Sequence, residues 1–270
     1  MWSACVPEPE RGPSSTTSAS LDAATSTIVV DVVDGDTLDV AIPGGGEERV
    51  RILGINAPEQ GECLTGDATE ALSRLVAGAE VDLVVDRSDR DRYGRLLRYV
   101  EVDGDDVGVA LVREGLAVVR VSEPDTARVA ALRAAEAEAR DRRSGLWDSS
   151  ACGPSTAGAE GMRVVALRLD AEGDDSQNLN DEWVELRNEG SAAVDLTGWR
   201  VRDESASNRF DFPDGFTLAP GSEVRIRSGC GAPTATELFW CTSGAAIWNN
   251  DGDTAFLLDP AGNVVHSLAG

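Results

Sequence analysis

From Thr27 onward apolar and polar residues alternate, and Ile28–Val33, Thr37–Ile42 and Val50–Gly54 read as three successive strands joined by Asp/Gly-rich turns. Pro43-Gly44-Gly45-Gly46 is a hairpin loop. Ala68, Leu72, Leu75 and Val76 then recur at helical spacing, with Thr65 or Asp67 as cap and Gly78 as stop. Strands at Val81–Val85 and Leu96–Val102 follow, and Val107–Glu114 and Asp125–Arg143 read as two helices, the second ending at Ser144-Gly145. Three strands, a helix, two strands and two helices is the order of a small Greek-key barrel of the OB type with appended helices. A break at Ser149–Gly161, rich in Ser, Ala, Gly and Pro, separates this part from short strands with turn signals. Those strands are Arg163–Leu169, Trp183–Arg187, Gly198–Arg202, Glu223–Arg227, Thr254–Leu258 and Val264–Ser267, and their spacing suggests an immunoglobulin-type β-sandwich. Trp183 and Trp199 fall at inward positions and read as core.

The pattern therefore predicts a mostly β chain of two domains, an OB-type β-barrel with three helices plus an immunoglobulin-like β-sandwich. The expected divisions are a disordered linker at 1–25, the barrel at 26–150, a second linker at 151–161 and the sandwich at 162–270. The stretch Val6–Thr25, with Pro7, Pro9 and Pro13 before a Ser/Thr/Ala run, has almost no large apolar side chain and reads as solvated chain. It follows Trp2-Ser3-Ala4-Cys5, where small residues precede a cysteine as they do at the lipid-attachment site of a bacterial lipoprotein. Cys5 is on that ground a candidate lipid anchor. No apolar run approaches the ~20 residues of a transmembrane helix.

Charge narrows the chemistry. All 24 basic residues are Arg, against 48 acids, for a net charge of −24. Such a surface repels polyanions at long range, so a nucleic-acid partner requires a local Arg cluster or a bound cation to reverse the field. With one histidine, His266, and no Cys-x-x-Cys pair, the sequence offers neither a zinc site nor a Ser-His-Asp triad. Hydrolytic chemistry would have to come from carboxylates, arginines and a hard metal. The five cysteines lack metal-ligand spacing and point to an oxidising, extracellular or envelope compartment. Cys230 and Cys241 flank a short excursion and are the first pair; Cys63 and Cys152, at the ends of the helical part of the barrel domain, are the second. Cys5 is left odd.

Three blocks in order then carry a resemblance: Val32-Val33-Asp34-Gly35-Asp36-Thr37, Arg51-Ile52-Leu53-Gly54-Ile55-Asn56-Ala57-Pro58-Glu59 and Asp91-Arg92-Tyr93-Gly94-Arg95. Together with the helical stretch Val109–Ala117 and the closing Gly145-Leu146-Trp147, this part of the chain resembles the thermonuclease (staphylococcal nuclease-like) family. The resemblance implies a Ca²⁺-dependent phosphodiesterase acting on DNA and/or RNA and leaving 3′-phosphate ends. It assigns Asp36, the Asn56 amide oxygen and the Ala57 carbonyl to the metal. It assigns Arg51 and Arg95 to the phosphoryl group, Glu59 to the attacking water, and Arg92 and Tyr93 to substrate binding. Those residue types suit the task, because a phosphodiester anion needs its charge neutralised and planar guanidinium forks match phosphoryl oxygens. Asn56 stands where many members carry Asp, which implies weaker cation binding. In Val118–Glu123, where some members offer stacking Tyr residues, this chain has Arg120. Taken alone, Asp34 and Asp36 would read as a turn, and Asp-Gly-Asp-Thr recurs at 251–254 in an unrelated setting.

Residues 163–268 resemble the lamin-tail domain through Asp181–Asn188, Val194–Trp199, Phe210–Pro213, Leu218–Gly221 and Asn250–Asp259. That resemblance implies a fold and an accessory binding or targeting role toward a cell-envelope or matrix ligand. The competing expectation is a catalytically weak or inactive binding protein for nucleic acid or a cell-surface polymer.

Overall fold

The computed structural model describes residues 25–42, 44–173, 177–205, 207–242 and 244–270. The stretch assigned to a leading linker, with the candidate anchor Cys5, lies outside the described residues up to position 24. The first part of the chain comprises β1 (Thr25–Val32), β2 (Thr37–Ala41), β3 (Glu47–Ile52), β4 (Ile55–Asn56), α1 (Thr65–Val76) and β5 (Glu80–Val84). It continues with β6 (Leu96–Val102), β7 (Asp105–Asp106), α2 (Val107–Arg113), β8 (Val118–Val119) and α3 (Val129–Arg142). The sheet runs β3-β2-β1-β5-β6, and a parallel pairing of β3 with β6 closes it into a five-stranded barrel.

Alternation places Leu38 and Val40 of β2 and Val50 and Ile52 of β3 inside, all essentially without solvent contact. Helix α1 covers one end with Ala68, Ala71, Leu72 and Val76, a single stripe at helical spacing. Its cap differs from expectation: Leu64, in the left-handed region, precedes the first turn, and Thr65 donates its hydroxyl to the Glu59 and Glu62 carbonyls. Helix α3 begins at Val129 rather than Asp125. The Asp125 carboxylate instead accepts the Arg87 and Ser88 amides, which ties that residue to the β5–β6 connection. Where the chain leaves α3 it crosses the turn after α2 backbone to backbone. A Cβ on Gly115 (φ +74°) would sit 2.0 Å from the Ser144 carbonyl oxygen, and one on Gly145 would sit 2.3 Å from the Gly115 oxygen, so only glycine fits either side.

The second part contains β9 (Met162–Arg168), β10 (Trp183–Asn188), β11 (Val194–Asp195), β12 (Arg200–Arg202) and β13 (Arg209–Asp211). The remaining strands are β14 (Thr217–Leu218), β15 (Glu223–Arg227), β16 (Glu237–Phe239), β17 (Thr254–Leu258) and β18 (Val264–Ala269). Two four-stranded sheets, β16-β15-β10-β9 and β13-β12-β17-β18, enclose Val184, Leu186, Val224, Ile226, Trp199, Val201 and Leu257. Trp183 is a correction. Parity along β10 sends Val184, Leu186 and Asn188 inward, so Trp183 lies on the outer face, where the Arg225 guanidinium stacks 3.9 Å from its ring centroid.

The segment 151–161 is fastened rather than extended. Cys152 is bonded to Cys63 (S–S 2.02 Å), its amide donates to the Asn263 side chain, and the Thr156 amide donates to Asp259. The two parts also share an apolar cluster of Val118 and Leu146 with Phe256 and Val264. Arg140 of α3 lies over Trp147 at 3.9 Å and donates to the Ser267 hydroxyl of β18 at 2.6 Å. Arg133 of α3 forms an ion pair with Glu204 (2.7 Å), whose other oxygen accepts the Val121 amide. The second bridge, Cys230–Cys241, stays within the sandwich.

Candidate active site

Three turns meet at one end of the barrel. The first, Val33–Asp36, leads into β2; the Asp36 amide donates to Asp34, and the Asp36 side chain points inward, where it is almost fully buried. Its Oδ1 accepts the Thr37 hydroxyl (3.0 Å), and its Oδ2 accepts the Ala57 amide (2.9 Å) and pairs with Arg51 (2.8 Å). Arg51, near the end of β3 and opposite Thr37 in register, is equally buried. One of its terminal nitrogens donates to the Ile52 carbonyl and the other to Asn56 Oδ1 at 3.1 Å. Burial pushes Asp36 up and Arg51 down, each toward its neutral form. The pair is therefore held by mutual attraction and by the donors around it, and removing either partner strands a charge.

The second turn, Glu59–Glu62, follows β4. The Glu62 amide donates to the Glu59 carbonyl, and the Glu59 amide donates to Glu62 Oε2 at 2.7 Å. The Glu59 side chain is half-buried. Burial pushes its carboxyl above the usual range, and the neighbouring charges of Asp36 and Asp34 add to that push against Arg51. The third turn, Asp91–Arg95, is organised by Asp91, which accepts the Tyr93 and Arg95 amides and the Arg95 Nε at 2.6 Å. With its Nε engaged, Arg95 keeps both terminal nitrogens without a hydrogen-bond partner among the described residues. Its charge is felt at Arg51, as is that of Arg120 just beyond β8. Arg92 donates to the Tyr93 hydroxyl and lies 4.8 Å from the centroid of that ring, which is 69% exposed.

The structure thus brings Asp36, Arg51, Asn56, Ala57 and Glu59 into one buried-to-half-buried group, with Arg95 at its edge. Arg92 and Tyr93 stand on the solvent side of the same hairpin. Oxygen donors of this kind, in a region where the Asp34 charge raises the proton affinity of Asp36 and the charges of both raise that of Glu59, fit a hard divalent cation in chemical character. Among the described residues no group of three or more His, Cys, Asp or Glu is arranged to hold a metal, and here the Arg51 guanidinium engages both Asp36 and Asn56. Sequence reasoning missed Glu62 and Asp91, which hold the turns that carry Glu59 and Arg95. Their spacing, three residues after Glu59 and four before Arg95, is a signal the sequence offers for them, and Asp91 also opens the third of the blocks that carry the family resemblance.

A closed five-stranded barrel with an arginine–carboxylate group where its turns converge defines a small-barrel domain suited to binding a phosphorylated ligand. Residues 49–149 match the model of the staphylococcal nuclease homologue family, and residues 161–269 match that of the Lamin Tail Domain. Endonuclease YncB of Bacillus subtilis is 39% identical over 126 residues, covering 44% of this chain and 59% of that protein. The SPbeta prophage-derived endonuclease YokF of the same organism is 38% identical over 126 residues, 44% of this chain and 42% of its own length. The thermonuclease of Staphylococcus intermedius is 31% identical over 129 residues, 46% of this chain and 76% of its own. The chain belongs to the staphylococcal nuclease homologue family and carries a lamin tail domain. It spans about half the length of the two Bacillus relatives it matches.

Proposed function

We propose that this protein is a calcium-dependent nuclease that cleaves the phosphodiester backbone of DNA and/or RNA and leaves 3′-phosphate ends. The observation that carries this reading is the convergence of Asp36, Arg51, Glu59 and Arg95 from four separate segments onto one end of a closed barrel. Relatives named endonuclease and thermonuclease support it.

The roles follow from the surroundings of each group. Arg95, whose two terminal nitrogens have no hydrogen-bond partner among the described residues, grips a phosphoryl oxygen pair and stabilises the charge that grows there as water adds. Arg51 supplies a second fork once the substrate draws it from Asp36 and Asn56. Glu59 accepts the proton of the attacking water; its raised proton affinity brings it nearer to matching that task at neutral pH. Asp36, the Asn56 amide oxygen and the Ala57 carbonyl would hold Ca²⁺, which supplies Lewis-acid neutralisation of the phosphodiester charge. Tyr93 and Arg92 offer an exposed ring and a cation to the nucleotide next to the scissile bond. The sandwich serves as an accessory module, and the two disulfides suit an extracellular or envelope-anchored setting.

The test is cleavage of single-stranded DNA by the whole chain with millimolar Ca²⁺, with chelator, and with Glu59→Gln. Calcium-dependent cutting that the variant loses, with product ends that a polymerase extends only after phosphatase treatment, is the expected result. A folded protein that binds the strand without cutting it would turn the reading to a nucleic-acid-binding barrel.

A further inference from the structure

The turn that carries Glu59 is not packed on solid core. A cavity of about 160 Å³ lies beside it, lined by Pro58, Gly61, Glu62, Leu146, Arg202 and Leu258, so residues of both domains form its walls. Beyond the Thr65 hydroxyl and the turn's own Glu62 amide, which bond the Glu59 and Glu62 carbonyls, the turn is tethered from outside the barrel. Arg209 of β13 pairs with Glu62 Oε1 at 2.9 Å, while the other oxygen of the same carboxylate accepts the Glu59 amide. Glu62 is also the carboxylate whose charge acts most strongly on the buried Arg202 of β12. The next residue, Cys63, is bonded to Cys152, and Gly262 of the sandwich lies so close that a Cβ there would stand 3.6 Å from the Cys63 Cβ.

We propose that Arg209 of the lamin tail domain is a positioning residue for the nuclease chemistry, holding the Glu62 carboxylate so that it fixes the backbone of Glu59. The inference rests on the assignment of Glu59 as the group that activates water. The pair is partly exposed, at 31% and 22% of the two side chains, and ion pairs of that kind add little to global stability. Its consequence is geometric: a bidentate carboxylate spans two domains and ends on the amide of the residue that must meet the water, where misplacement of about an ångström costs up to about a hundredfold in rate. The sandwich is on this view part of the cleft's scaffold as well as an appended module.

The experiment uses the full chain and four variants, Arg209→Met, Arg209→Lys, Glu62→Gln and the Arg209→Met/Glu62→Gln double, with Glu59→Gln in parallel. Two readouts are taken, amide hydrogen exchange at Glu59 and the kcat and KM for single-stranded DNA. In Arg209→Met, exchange at Glu59 is expected to quicken about tenfold and kcat to fall about tenfold, with KM within about twofold. Arg209→Lys keeps a cation and recovers most of both, and the double variant is no worse than Glu62→Gln because the two act in series. Unchanged Glu59 exchange in Arg209→Met overturns the proposal, as does faster exchange at wild-type kcat, or a double variant whose loss is the product of the single losses. Loss of cutting in Glu59→Gln together with a wild-type rate in Arg209→Met strikes the proposal alone. Cutting that survives Glu59→Gln strikes the assignment of Glu59 and the proposal with it.

Discussion

Replacing both Cys63 and Cys152 with Ala opens a cross-link that closes a loop of 89 residues, from just before α1 to beyond α3. The chain-entropy relation for a loop of that size gives about 4.6 kcal/mol of stabilisation at 25 °C. The same relation gives about 2.8 kcal/mol for Cys230–Cys241, which are 11 residues apart. The two bridges also differ in place. The first sits where the sandwich meets the barrel domain, with the Cys152 amide on Asn263, so its loss also frees the domain junction. The assay is urea unfolding of the two paired-alanine variants and the parent, followed by tryptophan fluorescence. Trp199 and Trp248 are buried in the sandwich and Trp147 lies at the junction, so both parts report. The Cys63/Cys152 variant is expected to lose more than the Cys230/Cys241 variant, by roughly 2 kcal/mol. A loss below about 1 kcal/mol, or the reverse order, would refute the view that the long loop is the main covalent restraint.

Arg51→Ala and Arg95→Ala should both abolish most cleavage, but they should part on stability. Arg51→Ala strands the buried Asp36 and is expected to cost about 3–5 kcal/mol, whereas Arg95→Ala, at a partly exposed pair, should cost under about 1 kcal/mol; equal melting curves would contradict this. Burial, reinforced by Asp203 and Glu204, pushes the Asp253 carboxyl from 3.8 up to about 7. The folded state then holds a proton that the unfolded chain has released, so stability falls as pH rises between those values, by on the order of 4 kcal/mol. Urea midpoints at pH 5 and pH 8 measure the slope, and Asp253→Asn should flatten it; an unaltered slope would show that another group carries it. Gly115→Ala should prevent folding or cost more than about 4 kcal/mol, because its Cβ meets the Ser144 carbonyl, and a folded, stable Gly115→Ala would mean that the crossing is looser than described.

The barrel was legible because β2 and β3 alternate: Leu38, Val40, Val50 and Ile52 are apolar at the parity the closed sheet requires. Glycine and aspartate marked the turns between them. The start of α3 was not legible. Asp125 looks like the first helical residue, but its carboxylate serves the amides of Arg87 and Ser88, nearly forty residues earlier in the chain. Trp183 misled in the same way, since its size suggested core while parity and Arg225 placed it outside. At the site, the resemblance carried by three ordered blocks, and not residue type or spacing alone, singled out Asp36, Arg51, Glu59 and Arg95. That Arg51 is sealed in a buried pair, so that Arg51→Ala is expected to damage the fold as well as the chemistry, depends on a β2–β3 register that composition does not carry. Arg209 lay beyond sequence reasoning altogether, because it reaches Glu62 from a separate domain almost 150 residues away.

The acidity of the chain and its proposed substrate are reconciled by where the arginines are spent. Most are matched to carboxylates: Arg49 to Asp39, Arg90 to Glu48, Arg128 to Asp106 and Glu101, Arg225 to Glu185. Around the cleft the accounting differs. Arg92 and Arg120 have no carboxylate within ion-pair distance among the described residues, Arg95 shares only its Nε with Asp91, and Arg51 is the one whose partners a substrate would have to displace. At low salt, where the Debye length stretches to about 30 Å, the net charge of −24 repels an approaching nucleic acid, whereas at contact distance Arg92, Arg95 and Arg120 offer guanidinium groups to its phosphates. The expected signature is an association that added salt aids at first, by screening the long-range repulsion, before it weakens the short-range phosphate contacts. KM for single-stranded DNA should therefore pass through a minimum as salt rises. A KM that climbs steadily from the lowest salt would show that the cleft's arginines, and not the net charge, govern approach from the start.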